Sequence, residues 1–121
     1  MAVNKKSENL SNDYPEKRWL RILILWTIFQ KSLYGYLILK TIEGMSRGAQ
    51  FIKTGTLYTI LRRMEKEGLV VSSWERGDKG PEKRMYKITP LGRNFFKNHL
   101  EMIRKRKPMI DKLIKFYKRN F

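Results

Sequence analysis

Residues 54–68 read TGTLYTILRRMEKEG, and this stretch decides the fold. Leu57, Ile60, Leu61 and Met64 recur at i, i+3, i+4 and i+7, the spacing of one apolar helix face. Thr56, Tyr58, Thr59, Arg62, Arg63 and Lys66 fall off that face. Thr54 is the expected N-cap, and Gly68 suits the left-handed position that ends a helix. A strand-like run, Leu69 to Val71, begins at once. The outer face carries hydroxyls, a phenol and guanidinium groups. Such a face offers hydrogen bonds and positive charge together, which suits a groove of duplex DNA. An ordinary surface helix is the competing reading, and the segment that follows tips the balance.

That segment is a predicted β-hairpin. Residues 69–76 form one strand and 83–89 the second, with Tyr86 and Ile88 on one face and Met85 and Lys87 on the other. Gly77, Asp78, Lys79, Gly80 and Pro81 supply the turn. Upstream, a second helix is expected from Gly35 to Gly44, with Leu37, Ile38, Ile42 and Met45 inward. Gly44, Ser46, Arg47 and Gly48 end it, and Phe51 and Ile52 form a brief strand or plug the core. Two short helices, the second with a basic outer face, make a helix-turn-helix with a longer link than the usual tight turn. A hairpin directly after the second helix is a wing, whose basic tip can reach the phosphate backbone or the minor groove.

The ends of the chain differ from this middle. Residues 1–13 are polar and read as a mobile tail; Asp13 and Pro15 mark a helix start. The first helix runs from about Glu16 to Gln30 and is apolar nearly all round: Trp19, Leu20, Ile22 to Trp26, Ile28 and Phe29. A small domain needs one apolar stripe per surface helix. Burial against a second subunit as well as the core is therefore favoured over burial by its own chain. Lys31 to Tyr34 reads as a turn. Thr89 and Pro90 open the last helix as N-cap and first helical residue. There Phe96, Leu100, Ile103, Lys107, Ile110, Ile114 and Tyr117 are spaced 4, 3, 4, 3, 4, 3, a coiled-coil-like seam. Pro108 predicts a bend or restart in that helix.

Composition points the same way. The chain has 121 residues, 27 Lys and Arg against 11 Asp and Glu, and a formal net charge of +16. Residues 92–121 alone hold 10 basic and 2 acidic side chains. Such an excess repels itself unless a polyanion is nearby; nucleic acid is the first candidate and an anionic membrane surface the second. Cysteine is absent and His99 is the single histidine, which excludes disulfides, thiolate metal sites and multi-histidine metal sites. No signal peptide or spanning segment is visible, so the expectation is a cytoplasmic, nucleoid-associated protein with no cofactor and no membrane partner.

The motifs in order are Tyr34-Gly35-Tyr36, Gly55-Thr56-Leu57-Tyr58, Arg62-Arg63-Met64-Glu65-Lys66-Glu67-Gly68-Leu69-Val70, Trp74-Glu75, Gly80-Pro81 and Arg84-Met85-Tyr86-Lys87-Ile88-Thr89-Pro90-Leu91-Gly92. Together, over roughly residues 19–95, they resemble the PadR family of winged-helix transcriptional regulators. The resemblance implies an α+β fold, mainly α with a small β-hairpin. It implies a winged helix-turn-helix over residues 14–90 and a dimerisation helix over 91–121. It also implies a homodimer built through the first and last helices, a palindromic operator, repression, and often a small-molecule effector whose identity here is unknown. Relatives that capture flat aromatic drugs use a tryptophan in the final helix; this one has Phe95, Phe96, Phe116 and Tyr117 instead.

Individual expectations follow. Tyr58 lies opposite the apolar stripe and is expected at a phosphate or sugar, with Arg62 one turn beyond it. Thr54, Thr56 and Thr59 can cap, bond phosphate or touch a thymine methyl group. Lys79, Lys83 and Arg84 belong to the wing, with phosphate contact expected for at least one. Tyr36 and Lys40 either touch the backbone or pack. Trp74 is expected to pack the hairpin on the helices. Trp19, Ile22, Trp26, Phe96, Leu100, Ile103, Ile110, Ile114 and Tyr117 form the expected dimer face. The competing function is a general chromatin-like or RNA-binding protein without an operator, for which charge alone suffices. An enzyme is disfavoured, since the sequence offers no nucleophile-base pair and no Gly-rich phosphate loop.

Overall fold

The computed structural model describes residues 15–76 and 80–121. The expected N-terminal tail, Asp13, and the turn residues Gly77, Asp78 and Lys79 lie outside the described residues. The elements are α1 (Pro15–Ile28), β1 (Leu33–Tyr34), α2 (Gly35–Met45), α3 (Thr54–Lys66), β2 (Val70–Arg76), β3 (Glu82–Ile88) and α4 (Pro90–Asn120). The fold is α+β, helices with a small antiparallel sheet.

The helical periodicities place the core. Leu57, Ile60, Leu61 and Met64 are all buried on the inner face of α3. They meet Ile38, Leu39 and Ile42 of α2 and Leu20, Ile24, Leu25 and Ile28 of α1 in one apolar cluster. Fully burying each such side chain contributes about 1.5–3 kcal/mol, so these three helices carry most of the head's cohesion. Arg21 adds a tie, giving Glu67 two bonds of 2.7 and 3.1 Å. Within α2, Leu37 and Met45 were expected inward but are exposed, and Leu39 takes the inner position instead. The inner face of α2 is narrower than its apolar composition suggests. Ile52 plugs the core while its neighbour Phe51 points out, and no strand forms there.

The ends of α3 differ from one another. Lys53, rather than Thr54, is the N-cap, and it makes no side-chain capping bond. Thr54 already has helical geometry, one residue inside. At the other end Gly68 has φ of 80°. Its N–H reaches the Glu65 carbonyl at 3.0 Å, and the Leu69 N–H reaches the Met64 carbonyl at 2.9 Å. This paired closure requires a left-handed residue, and it delivers the chain directly into β2.

The sheet has three strands, ordered β1-β3-β2. The hairpin pairs Val70 with Ile88, Ser72 with Tyr86 and Trp74 with Arg84. The segment read as a turn before α2 supplies the third strand: Leu33 pairs with Tyr86 and Tyr34 with Met85. Tyr86 and Ile88 share one face, as expected, and that face meets the core. Trp74 does not pack on the helices; it is 62% exposed. It shares the inner face of the hairpin with Val70, but the strands run past the end of the helical layer. Its neighbour there is the guanidinium of Arg84, 5.7 Å from its ring.

Helix α4 opens as expected, with the Gly92 N–H donating to Thr89 Oγ1 at 2.9 Å and Pro90 in the first turn. It runs as one helix through Pro108 to Asn120, about 46 Å at 1.5 Å per residue. Phe96 is buried against the head and its ring lies 5.7 Å from that of Phe29. From Leu100 onward every residue of α4 is exposed in the single chain.

Candidate nucleic-acid interface

Tyr58, Thr56, Thr59 and Arg62 stand on the outward side of α3 because the four apolar residues of its inner face leave no other orientation. All four are exposed, Tyr58 at 36%. The Thr59 hydroxyl donates back to the Gly55 carbonyl at 2.9 Å. That bond fixes its rotamer and leaves its methyl group and oxygen lone pairs for a partner. Thr54 and Gly55 begin the same exposed surface, and a shallow hollow opens between Lys53, Gly55, Thr56 and Thr59.

The wing lies beside this face. A second hollow of about 620 Å³ is lined by Arg62, Arg63 and Lys66 of α3 and by Arg84 and Tyr86 of β3, with Glu65 among them. Here Lys83 and Arg84 part ways. Arg84 is engaged within the chain: its Nε donates to Ser72 Oγ at 2.8 Å and its Nη2 to Glu65 Oε2 at 3.3 Å. It joins the wing to α3. Lys83 instead lies 4.1 Å over the ring of Tyr34, which leaves its ammonium at the surface with hydrogens to give. On α2, Lys40 sits 5.5 Å from the centre of the Tyr36 ring and 3.5 Å from Glu43 Oε2. Both side chains are exposed. Lys79 lies outside the described residues.

Burial pushes the Tyr86 phenol above its ordinary pKa; Arg84 pulls the other way, and the Glu65 carboxylate adds to the rise. Tyr86 therefore stays neutral at neutral pH and serves as core. The face as a whole presents cations and hydroxyls along a helix and an adjoining strand. It can hold a polyanion and read its edges, the combination that phosphate positioning and base contact require.

Away from this face, and sharing no lining residue with its two hollows, α1 and α4 frame an apolar groove of about 1030 Å³. Trp19 and Trp26, exposed at 47% and 56%, stand on one wall. Leu100 and Ile103 stand on the other, and Phe29 and Phe96 floor it. Ile22 and Phe96 line the groove but are already buried by their own chain. Ile110, Ile114 and Tyr117 continue the apolar stripe beyond it and are exposed.

Sequence reasoning missed two features that shape the candidate face. One is Gly35, which touches Tyr58; its signal was the Tyr34-Gly35-Tyr36 motif, read only as a resemblance. The other is β1, which brings Tyr34 under Lys83; a two-residue strand has no periodicity to detect. Among the described residues, no group of three or more His, Cys, Asp or Glu is arranged to hold a metal ion. No helix among them is long and apolar enough to cross a membrane.

Comparison with known proteins agrees with this geometry. The fold is similar to a solved transcriptional regulator from Clostridium thermocellum, with a TM-score of 0.70 and 30% identity over 78% of this chain and 88% of that one. It is similar to a PadR family transcription regulator from Clostridium difficile, with a TM-score of 0.69 and 29% identity over 79% and 98%. The fold also matches Bacillus subtilis PadR, solved in complex with operator DNA, with a TM-score of 0.61 and 23% identity over 67% and 46%. The model of the transcriptional regulator PadR-like family matches residues 24–98, from within α1 into α4 and across the whole candidate face. The chain belongs to the PadR-like family of transcriptional regulators.

Proposed function

We propose that the protein is a repressor that binds a palindromic operator on chromosomal DNA as a homodimer, with α3 in the major groove and the wing on the adjacent backbone. The observation that carries this reading is the outward face of α3. Tyr58, Thr56, Thr59 and Arg62 are set there beside a wing whose Lys83 is free to meet phosphate. Bacillus subtilis PadR, which shares the fold, was solved with operator DNA, and this supports the same use of the face. In this arrangement Tyr58, Arg62, Tyr36, Lys40 and Lys83 hold phosphates, while Thr56 and Thr59 meet base edges.

The homodimer reading rests on the groove between α1 and α4. Its two exposed tryptophans and the uncovered apolar stripe from Leu100 to Tyr117 are what a second copy would cover. Two-fold pairing would set two reading helices about one DNA turn, ~34 Å, apart and so select a palindrome.

The test is a pair of titrations, one with a duplex of a bound site mapped from genomic DNA and one with a random duplex of equal length. An operator reader discriminates by roughly a thousandfold or more. A basic protein without an operator, the reading that the +16 charge alone would allow, binds both alike. Tyr58→Ala and Arg62→Ala should each weaken binding to the mapped site by about 1–3 kcal/mol. Arg62→Ala should melt near the parent, since Arg62 lies off the buried stripe, and Tyr58→Ala should still fold.

A further inference from the structure

Gly35 opens α2 and Tyr58 sits on α3, yet the two occupy one space. A Cβ built on Gly35 would lie 2.7 Å from Cε1 and from the hydroxyl oxygen of Tyr58, and 2.8 Å from Cζ. A side chain at position 35 and the Tyr58 ring in its present place therefore exclude each other. The backbone does not explain the glycine. Gly35 is not among the positive-φ residues, so any residue could adopt its conformation. Helix propensity argues against it too, because glycine favours a helix less than alanine does. What remains is the ring that lies on it.

We infer that Gly35 is a positioning residue for Tyr58: its missing side chain lets the phenol lie on the first turn of α2, set for DNA before DNA arrives. The inference rests on the proposal that Tyr58 meets the operator. A tyrosine on a bare helix surface samples several rotamers and must give them up on binding. One held against a neighbouring helix has given them up already, which lowers the ordering cost of the complex. The contact also links two motifs that lie far apart in sequence. The glycine of Tyr34-Gly35-Tyr36 is needed because Gly55-Thr56-Leu57-Tyr58 ends in a ring. Because Tyr58 is part exposed, the ring can swing outward when a methyl group displaces it. The fold survives, but the set position of the phenol does not.

The experiment is a double-mutant cycle. Parent, Gly35→Ala, Tyr58→Ala and the double variant are titrated against a duplex of a mapped genomic site and melted in parallel. Gly35→Ala is expected to lose roughly tenfold in affinity, close to the loss of Tyr58→Ala. In the Tyr58→Ala background the added methyl should cost nothing further, so the two losses are not additive. If Gly35→Ala lowers the melting temperature, Tyr58→Ala in the same chain should restore it, because the collision is with the ring. The inference is overturned if Gly35→Ala binds like the parent, if its loss adds in full to that of Tyr58→Ala, or if removing the ring does not restore the melt. If Tyr58→Ala itself binds like the parent, the operator role of Tyr58 fails and the positioning role fails with it. The first three outcomes leave the operator reading intact.

Discussion

The Thr89 hydroxyl donates to the Gly68 carbonyl at 2.6 Å while accepting from the Gly92 N–H at 2.9 Å. One side chain thus caps α4 and holds the residue that ends α3. The Thr89 N–H reaches the Leu69 carbonyl at 3.2 Å, and Gly92 packs so closely on that carbonyl that a Cβ would overlap it. The helix proposed to pair subunits is therefore fastened to the helix proposed to read DNA. Thr89→Ala should destabilise the fold by about 1–2 kcal/mol, the cost of a lost cap. Gly92→Ala should cost about 2–3 kcal/mol through overpacking. Thermal melts check both, at roughly 3–5 °C per kcal/mol for a chain of this size. A Gly92→Ala variant melting with the parent would show that the junction yields freely.

Lys83 meets the Tyr34 ring rather than a carboxylate, so its charge is not spent within the fold. Lys83→Ala should weaken binding to all duplexes by a similar factor, since a phosphate contact carries no base information. For the parent, a dimer that neutralises ~8 phosphates should give a slope of log K against log salt near −7, and Lys83→Ala should reduce it by about 1–2. Titrations at several salt concentrations measure this. A sequence-dependent loss would move Lys83 from the backbone to a base edge.

Ile103 stands on the wall of the apolar groove, 37% exposed in the single chain. A carboxylate there would break the apolar surface that a second copy would cover and would have to be desolvated beneath it. Ile103→Asp should dissociate or unfold the proposed dimer, and operator binding should fall with it. The opposing force is repulsion among Arg104, Lys105, Arg106 and Lys107. Salt screens exposed charges beyond about 8–10 Å, and burial at ~25 cal/mol per Å² should prevail. Sedimentation equilibrium of the parent at micromolar concentration should give twice the chain mass of 14.6 kDa. A stable single-chain species would rule out the paired groove.

Tyr86 supplies a pH signature. Burial raises its pKa in the folded state, so folding favours the protonated phenol. Its contribution is fully present below the unfolded value of about 10 and is lost as pH rises through the folded value. Stability should therefore decline above about pH 10. Tyr86→Phe, which cannot ionise, should lose less over the same interval. Urea unfolding at about pH 8 and pH 11 compares the two; parallel declines would mean that Tyr86 ionises as freely in the fold as out of it.

Much of this was legible in the sequence, for identifiable reasons. The inner face of α3 was readable because four apolar residues at helical spacing have one way to be buried. Gly68 and Thr89 were readable because each has a local conformational role. The hairpin was readable from alternation around Gly80-Pro81. The misses are tertiary. Trp74 alternates correctly, but how far the hairpin projects past the helices is not written in the hairpin. Leu37 and Met45 belong to an apolar helix, and which side of it meets the core depends on where α3 lies. The contact of Gly35 with Tyr58 depends on the distance between two helices, a quantity no spacing along the chain encodes.

The pairing of Leu33 with Tyr86 joins residues roughly fifty positions apart, and α2, α3 and β2 all lie inside the loop it closes. The hairpin can zip locally, because its turn is short. Docking β1 onto its edge must wait until the chain between has compacted, since closing a loop of that length has an entropic cost before any contact repays it. A ribosome-bound chain that has not yet released Tyr86 cannot complete the sheet, however well its helices have formed. Completion of the sheet thus waits on the emergence of β3, and α4 follows it directly in the chain.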